Sequence, residues 1–288
     1  MQAHSRVSVS ISADGVLRYD RLRSQVPLLL RPTPWGLYLV GGAAGPLGGD
    51  DLALEIEVGC GASLVVRSAA ASLARRGVSQ RASEFSVNVH LAPDASLYWM
   101  TEPAVACAGC NHHVEVRVEM DAGAGLYWKE ELVLGRYGEG PGVWTSGLSV
   151  DYGGKPLVRH MLPVGTPGWD GPAVIGDGGS VGSLLAAGSM AVDSIPAAGY
   201  PAAGYPIPEM RLSALSVESG GDYGNSPAGG PADKANYVRL EDSCGVLARG
   251  TLMRLASPGT MISAIGRDLM AVRRVIDILT VMATRSCS

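Results

Sequence analysis

The sequence predicts a mainly β protein, with stacked antiparallel β layers forming a superhelix or sandwich and an amphipathic helix at the C-terminal end. Three observations carry this. A strand/turn/strand unit recurs three times in the first half, short strands continue past it, and the C-terminal segment switches to helical spacing.

In the first unit Leu52, Leu54, Ile56 and Val58 alternate with Asp51, Ala53, Glu55 and Glu57, the period of a half-buried strand, before a turn over 59–63. The second places Phe85, Val87, Val89 and Leu91 on one face, turns over 92–96, and resumes at Leu97, Tyr98 and Trp99. The third alternates Val114, Val116, Val118 and Met120 with Glu115, Arg117 and Glu119, turns over 121–125, and resumes at Leu126, Tyr127 and Trp128. A spacing of about 30 residues suggests successive antiparallel pairs, each covering its neighbour's apolar face. Segments 143–150 and 157–164 continue the pattern around Gly153 and Gly154, a dipeptide tolerant of positive φ.

Residues 1–192 are therefore expected to form a repeated β-strand domain. Between 193 and 236 the composition turns to Pro, Gly, Ala and Ser, and Ala197–Pro201 is repeated directly in Ala202–Pro206. Such a low-complexity insertion buries little apolar surface to offset its ordering entropy. Segment 237–288 is expected to pack on the same domain, with closing strands at 237–240 and 245–255. Ser257 and Pro258 read as an N-cap followed by proline at the first helical position. Ile262, Ile265, Leu269, Val272, Ile276 and Leu279 then share one helical face.

The formal net charge is −4 and no basic tract occurs, so nucleic acid is not an expected partner. No apolar run approaches the roughly 18–20 residues that span a bilayer. The first twelve residues lack the charged and apolar regions of a signal peptide, and the five cysteines show no disulfide-like spacing. A cytoplasmic location is expected.

No nucleophile elbow, P-loop or dinucleotide fingerprint is present, and the chain is expected not to be an enzyme. Cys107, Cys110, His112 and His113 form the sharpest cluster, four potential ligands within seven residues. On a strand the two histidines face opposite ways, so at most three of the four share one ion. A metal-dependent enzyme centred on Cys107, Cys110 and His112 is one alternative reading, and an incidental loop is another. Carboxylates recur near turns: Asp50, Asp51, Glu102, Glu130, Glu131 and Glu139. These are either solvated or line a polar passage for a divalent cation. Trp99, Trp128 and Trp144 offer a β-rich ligand-binding module a stacking face, or they anchor the core.

The run Gly45, Pro46, Leu47, Gly48, Gly49 and Asp50, followed by the strand at 52–58 and by Gly61 and Ala62, resembles the opening signature of the UreD (UreH) urease accessory proteins. Trp128, then Leu134, Gly135 and Arg136, with Gly138, Glu139 and Gly147, is similar to a second block of that family. Arg254 and Leu255 resemble a third. The family's polar Gln and Lys are replaced within Ser68–Arg75, and neither the Cys/His cluster nor the 193–236 insertion belongs to its pattern. The resemblance implies a maturation chaperone that docks on apo-urease with UreF and the GTPase UreG and assists nickel delivery. It also implies a stacked β superhelix, transient nickel and no tightly bound cofactor. Asp50, Asp51, Glu102, Glu130 and Glu139 are the candidates for the nickel path, with Asp50 and Glu139 first because they lie within matched blocks.

Overall fold

The computed structural model describes residues 1–288 except 80, 172–173, 191–236, 243–244, 256–257 and 286–288. The expected insertion at 193–236 and the expected cap at Ser257 lie outside the described residues. The chain begins with β1 (Gln2–Ile11), β2 (Leu17–Arg23), β3 (Leu28–Thr33), β4 (Gly36–Gly41), β5 (Asp51–Val58) and β6 (Ser63–Ser68). It continues through β7 (Ser72–Ala74), β8 (Ser83–Leu91), β9 (Ser96–Met100), β10 (Ala104–Ala106), β11 (Asn111–Met120) and β12 (Gly125–Val133). The last elements are β13 (Val143–Tyr152), β14 (Lys155–Val164), β15 (Ser180–Gly188), β16 (Tyr237–Asp242), β17 (Gly245–Arg254), β18 (Gly259–Gly266) and α1 (Leu269–Arg285).

The mainly β, stacked architecture with one C-terminal helix is as the sequence predicts, but the pairing within the stack is different. The two strands of each repeat do not pair with each other. Each turn carries the chain from one sheet to the other, and each strand pairs in parallel with its counterpart in the next repeat. In the first sheet β1, β5, β8, β11 and β13 are parallel neighbours, with β2 and β14 added antiparallel at the edges. In the second sheet β4, β6, β9 and β12 are parallel neighbours, and β15, β18, β17 and β16 extend it antiparallel. The result is a β-solenoid-like stack of coils. Alternation reveals which face of a strand is buried but not which strand lies beside it, so the periodicity is equally consistent with either arrangement.

Register makes the stack a set of ladders. Leu64, Leu97 and Leu126 are aligned across three coils, as are Val66, Trp99 and Trp128. Leu54, Val87, Val116 and Leu148 form a matching row in the first sheet. The turns repeat as well. Gly61, Asp94 and Gly123 occupy equivalent positions with φ of 65°, 59° and 79°, each followed by a fully buried alanine, Ala62, Ala95 or Ala124. The alanine N–H closes each turn onto the carbonyl three residues back, at 3.0, 3.0 and 3.2 Å. The left-handed position explains the Gly and Asp, which tolerate it better than other residues.

The region 259–266, expected to be helix, is the strand β18. It is buried on both faces, toward the inter-sheet core and toward α1, so its apolar residues form a nearly continuous run whose spacing imitates a helical stripe. The helix starts at Leu269, where the Ala271 N–H donates to Asp268 Oδ1 at 2.8 Å and makes Asp268 the N-cap. Val272, Val275, Ile276 and Leu279 bury the helix on the outer face of the second sheet. Gly182 and Gly250 let it approach: a Cβ on either would come within 2.6 Å of Val272 Cγ1 or 2.4 Å of Val275 Cγ1.

Candidate functional site

Along β12, successive side chains face opposite ways. Trp128, Glu130 and Leu132 point between the sheets, whereas Tyr127, Lys129 and Glu131 lie on the opposite face, that of α1. The inner row is the informative one. Trp128, Leu185 and Met261 belong to one apolar cluster, and Leu132, Val181 and Ile265 to another. Between these clusters the register places Glu130, Ser183 and Ser263 side by side across β12, β15 and β18. In the first sheet the same break falls at Ser146, between Trp144 and Leu148. A polar belt thus separates the two apolar clusters, with Ser183 buried and Glu130, Ser146 and Ser263 partly buried.

Among the described residues Glu130 is its only ionisable member. The Trp128 indole N–H donates to Glu130 Oε1 at 2.8 Å. Burial raises the Glu130 pKa, and the indole bond offsets this only in part. The sequence suggests a carboxylate at a turn end, whereas Glu130 is mid-strand and inward-facing.

The other expected carboxylates are dispersed. Asp50 is buried, accepts the Leu47 N–H at 2.9 Å on Oδ2, and pairs with the Met1 amino group. It therefore braces the loop that carries the glycine signature. Asp51 is exposed at the start of β5. Glu102 is exposed and lies 3.6 Å from Arg273. Glu139 is held by Arg136 at 2.7 and 2.9 Å and by the Arg136 and Ala108 N–H groups at 3.0 and 3.2 Å. Those bonds, led by the Arg136 side chain, bring its pKa down to about 2. Glu139 ties the 135–140 turn to the loop containing Cys107.

Cys107 and Cys110 are buried thiols. Burial raises both pKa values, that of Cys110 to about 11, so neither favours the thiolate that binds metal. Cys110 Sγ donates to the Val143 carbonyl at 3.6 Å. His112 faces inward, shares a 2.7 Å hydrogen bond with Ser83 Oγ, and lies against Trp144 with ring centroids 4.8 Å apart. Burial lowers its pKa to about 4. His113 faces outward. Among the described residues no three His, Cys, Asp or Glu side chains converge on one metal position. Trp99, Trp128 and Trp144 are all buried, so they are core anchors rather than a stacking face for a ligand.

Sequence reasoning missed the role of Glu131. Its side chain is 1% exposed and meets Arg273 of α1 through two 2.7 Å bonds, with Lys129 Nζ at 3.2 Å. Burial alone would raise the Glu131 pKa, but Arg273 and Lys129 outweigh it and the net shift is downward. A pair separated by 142 residues leaves no local signal in the sequence. Among the described residues no helix is long and apolar enough to cross a membrane.

A model of the UreD urease accessory proteins matches residues 2–284. A urease accessory protein UreD of Parafrankia sp. is 32% identical, covering 99% of this chain and 90% of that protein. A second, from Frankia casuarinae, is 34% identical over 96% of this chain and 88% of its own length. One from Streptomyces coelicolor is 36% identical over 64% of this chain. With the family model and both full-length relatives matching nearly the whole length, the chain belongs to the UreD urease accessory protein family.

Proposed function

We propose that this chain is a maturation scaffold for urease: it joins UreF-like and UreG-like accessory proteins on apo-urease and assists the passage of nickel into the enzyme. The observation that carries the reading is the family match across residues 2–284. Nickel is cargo here, held in passing rather than kept as a cofactor, and the chain itself catalyses nothing. It works in the cytoplasm.

The polar belt supports an ion route through the interior. Glu130 is a carboxylate inside the stack with hydroxyl neighbours in register, and oxygen donors of this kind exchange a divalent cation quickly. Burial raises the Glu130 pKa, and an arriving cation would favour the carboxylate form that binds it. This puts Glu130 ahead of Asp50 and Glu139, whose acceptor positions are already used to brace loops.

The test is reconstitution. Urease subunits are expressed with their accessory proteins, with and without this chain, and the purified enzyme is assayed for activity and nickel while the tagged chain is used to recover bound partners. Loss of both nickel and activity without the chain, and recovery of accessory and urease subunits with it, is the expected result. Recovery of none of them overturns the reading.

A further inference from the structure

A cleft of about 280 Å³ opens beside the glycine-signature loop, away from the polar belt. It is lined by Gly48, Gly77 and Gly109 with Arg76, Ser79, Arg81 and Asn111. Among the described residues no carboxylate and no large apolar residue lines it. The glycines set its shape: a Cβ on Gly77 would come within 2.2 Å of the Gly48 carbonyl oxygen, so the two loops meet backbone to backbone. Gly109, at φ 72°, lets the Arg76 stem lie across it, with Cδ 3.6 Å from where a Cβ would stand.

The charge here is unbalanced. Arg6, Arg136, Arg159 and Arg273 are each paired with carboxylates. Among the described residues Arg76 and Arg81 have no such partner, and the Gly77 and Gly109 N–H groups donate to nothing. One observation points independently to a ligand: Asn111 Oδ1 is buried and receives no hydrogen bond. A buried acceptor without a donor is costly, by roughly 1–3 kcal/mol, and needs an explanation.

We infer that this cleft binds a small oxyanion that keeps one O–H, with Arg76 and Arg81 holding its charge and Asn111 Oδ1 accepting its proton donor. Guanidinium forks match the geometry of such anions, and glycine backbone admits the close approach they need. A fully deprotonated anion satisfies the arginines but leaves Asn111 unpaired. The site therefore discriminates on the O–H as well as on charge. Ser79 is already engaged, its hydroxyl donating to the Gly48 carbonyl at 3.1 Å, and serves the wall rather than the ligand.

Titration calorimetry of the purified full chain with inorganic phosphate at neutral pH and constant ionic strength tests this. Saturable one-site binding is expected, with sulfate weaker by about fivefold or more because it offers Asn111 no donor. R76Q/R81Q is expected to weaken phosphate binding by about tenfold or more, whereas R21Q/R23Q, the same charge change on β2, leaves it within about twofold. Asn111→Asp keeps both arginines and adds a carboxylate, and is expected to abolish binding. The proposal is overturned by no saturable binding up to about 10 mM phosphate, by sulfate binding equally well, or by equal weakening in the two arginine pairs. None of these outcomes bears on urease maturation, so the two readings fail separately.

Discussion

Trp99 and Trp128 lie in register on adjacent coils and stack, with ring centroids 4.4 Å apart and planes 8° from parallel. Parallel pairing of β9 and β12 puts like residue over like residue, so the stack follows directly from the repeat. The lower indole also serves the polar belt, because Trp128 donates to Glu130.

Truncating this ladder is expected to be expensive. Trp128→Ala should cost about 3–5 kcal/mol through the cavity and lost contacts. Trp128→Phe, which keeps much of the area but leaves Glu130 without its donor, should cost about 1–3 kcal/mol. Urea denaturation of both, with Trp99→Ala as the second arm of a double-mutant cycle, separates stacking from hydrogen bonding.

Acid sensitivity should come in two separable windows. His112 has a folded pKa of about 4 against an ordinary 6.5, so the unfolded chain binds the extra proton first and stability falls as the pH drops between those values. The full effect is on the order of 3 kcal/mol. Glu131 has a lowered folded pKa, so its contribution is present above the ordinary value of 4.5 and is lost as the pH falls through the folded one. Stability measured against pH should therefore lose its slope between 6.5 and 4 in His112→Leu while keeping the steeper fall below 4.5.

The Glu131–Arg273 pair should hold α1 on the sheet. Removing Arg273 leaves the buried Glu131 with Lys129 as its remaining partner, and Arg273→Met is expected to cost about 1.5–3 kcal/mol. Hydrogen exchange would show the loss first in α1 and β15, with the β5, β8 and β11 ladder unchanged. Replacing both partners, Glu131→Leu with Arg273→Met, should restore much of the stability.

Glu130 should show opposite effects on stability and function. Its folded pKa is raised, so the folded state is penalised as the pH rises above the ordinary value of 4.5 through the folded one, and the penalty persists at neutral pH. Glu130→Gln should therefore unfold at the same or higher urea concentration than the parent at pH 7. On the proposed nickel route, it should at the same time lower the nickel content and activity of urease matured with it.

Much of the scaffold was legible in the sequence because strands buried on one face alternate visibly. The three repeats, the Gly153–Gly154 hairpin and the closing strands β16 and β17 all declare themselves this way. β18 did not, since burial on both faces erases alternation. Neither did the parallel stacking, which depends on the equivalence of Gly61, Asp94 and Gly123 rather than on any one strand. At the site level, residue type drew attention to Cys107, Cys110 and His112, which are buried, Cys110 and His112 with hydrogen-bond partners on neighbouring strands. Glu130 is set apart from Glu131 by one step along β12, and only strand register reveals that one faces the interior and the other faces α1.

The most direct test of the account is the nickel content of urease matured in cells with the complete accessory set, with and without this chain. Nickel and activity in the enzyme should both depend on its presence. Urease that acquires the same nickel and the same activity in its absence would contradict the account.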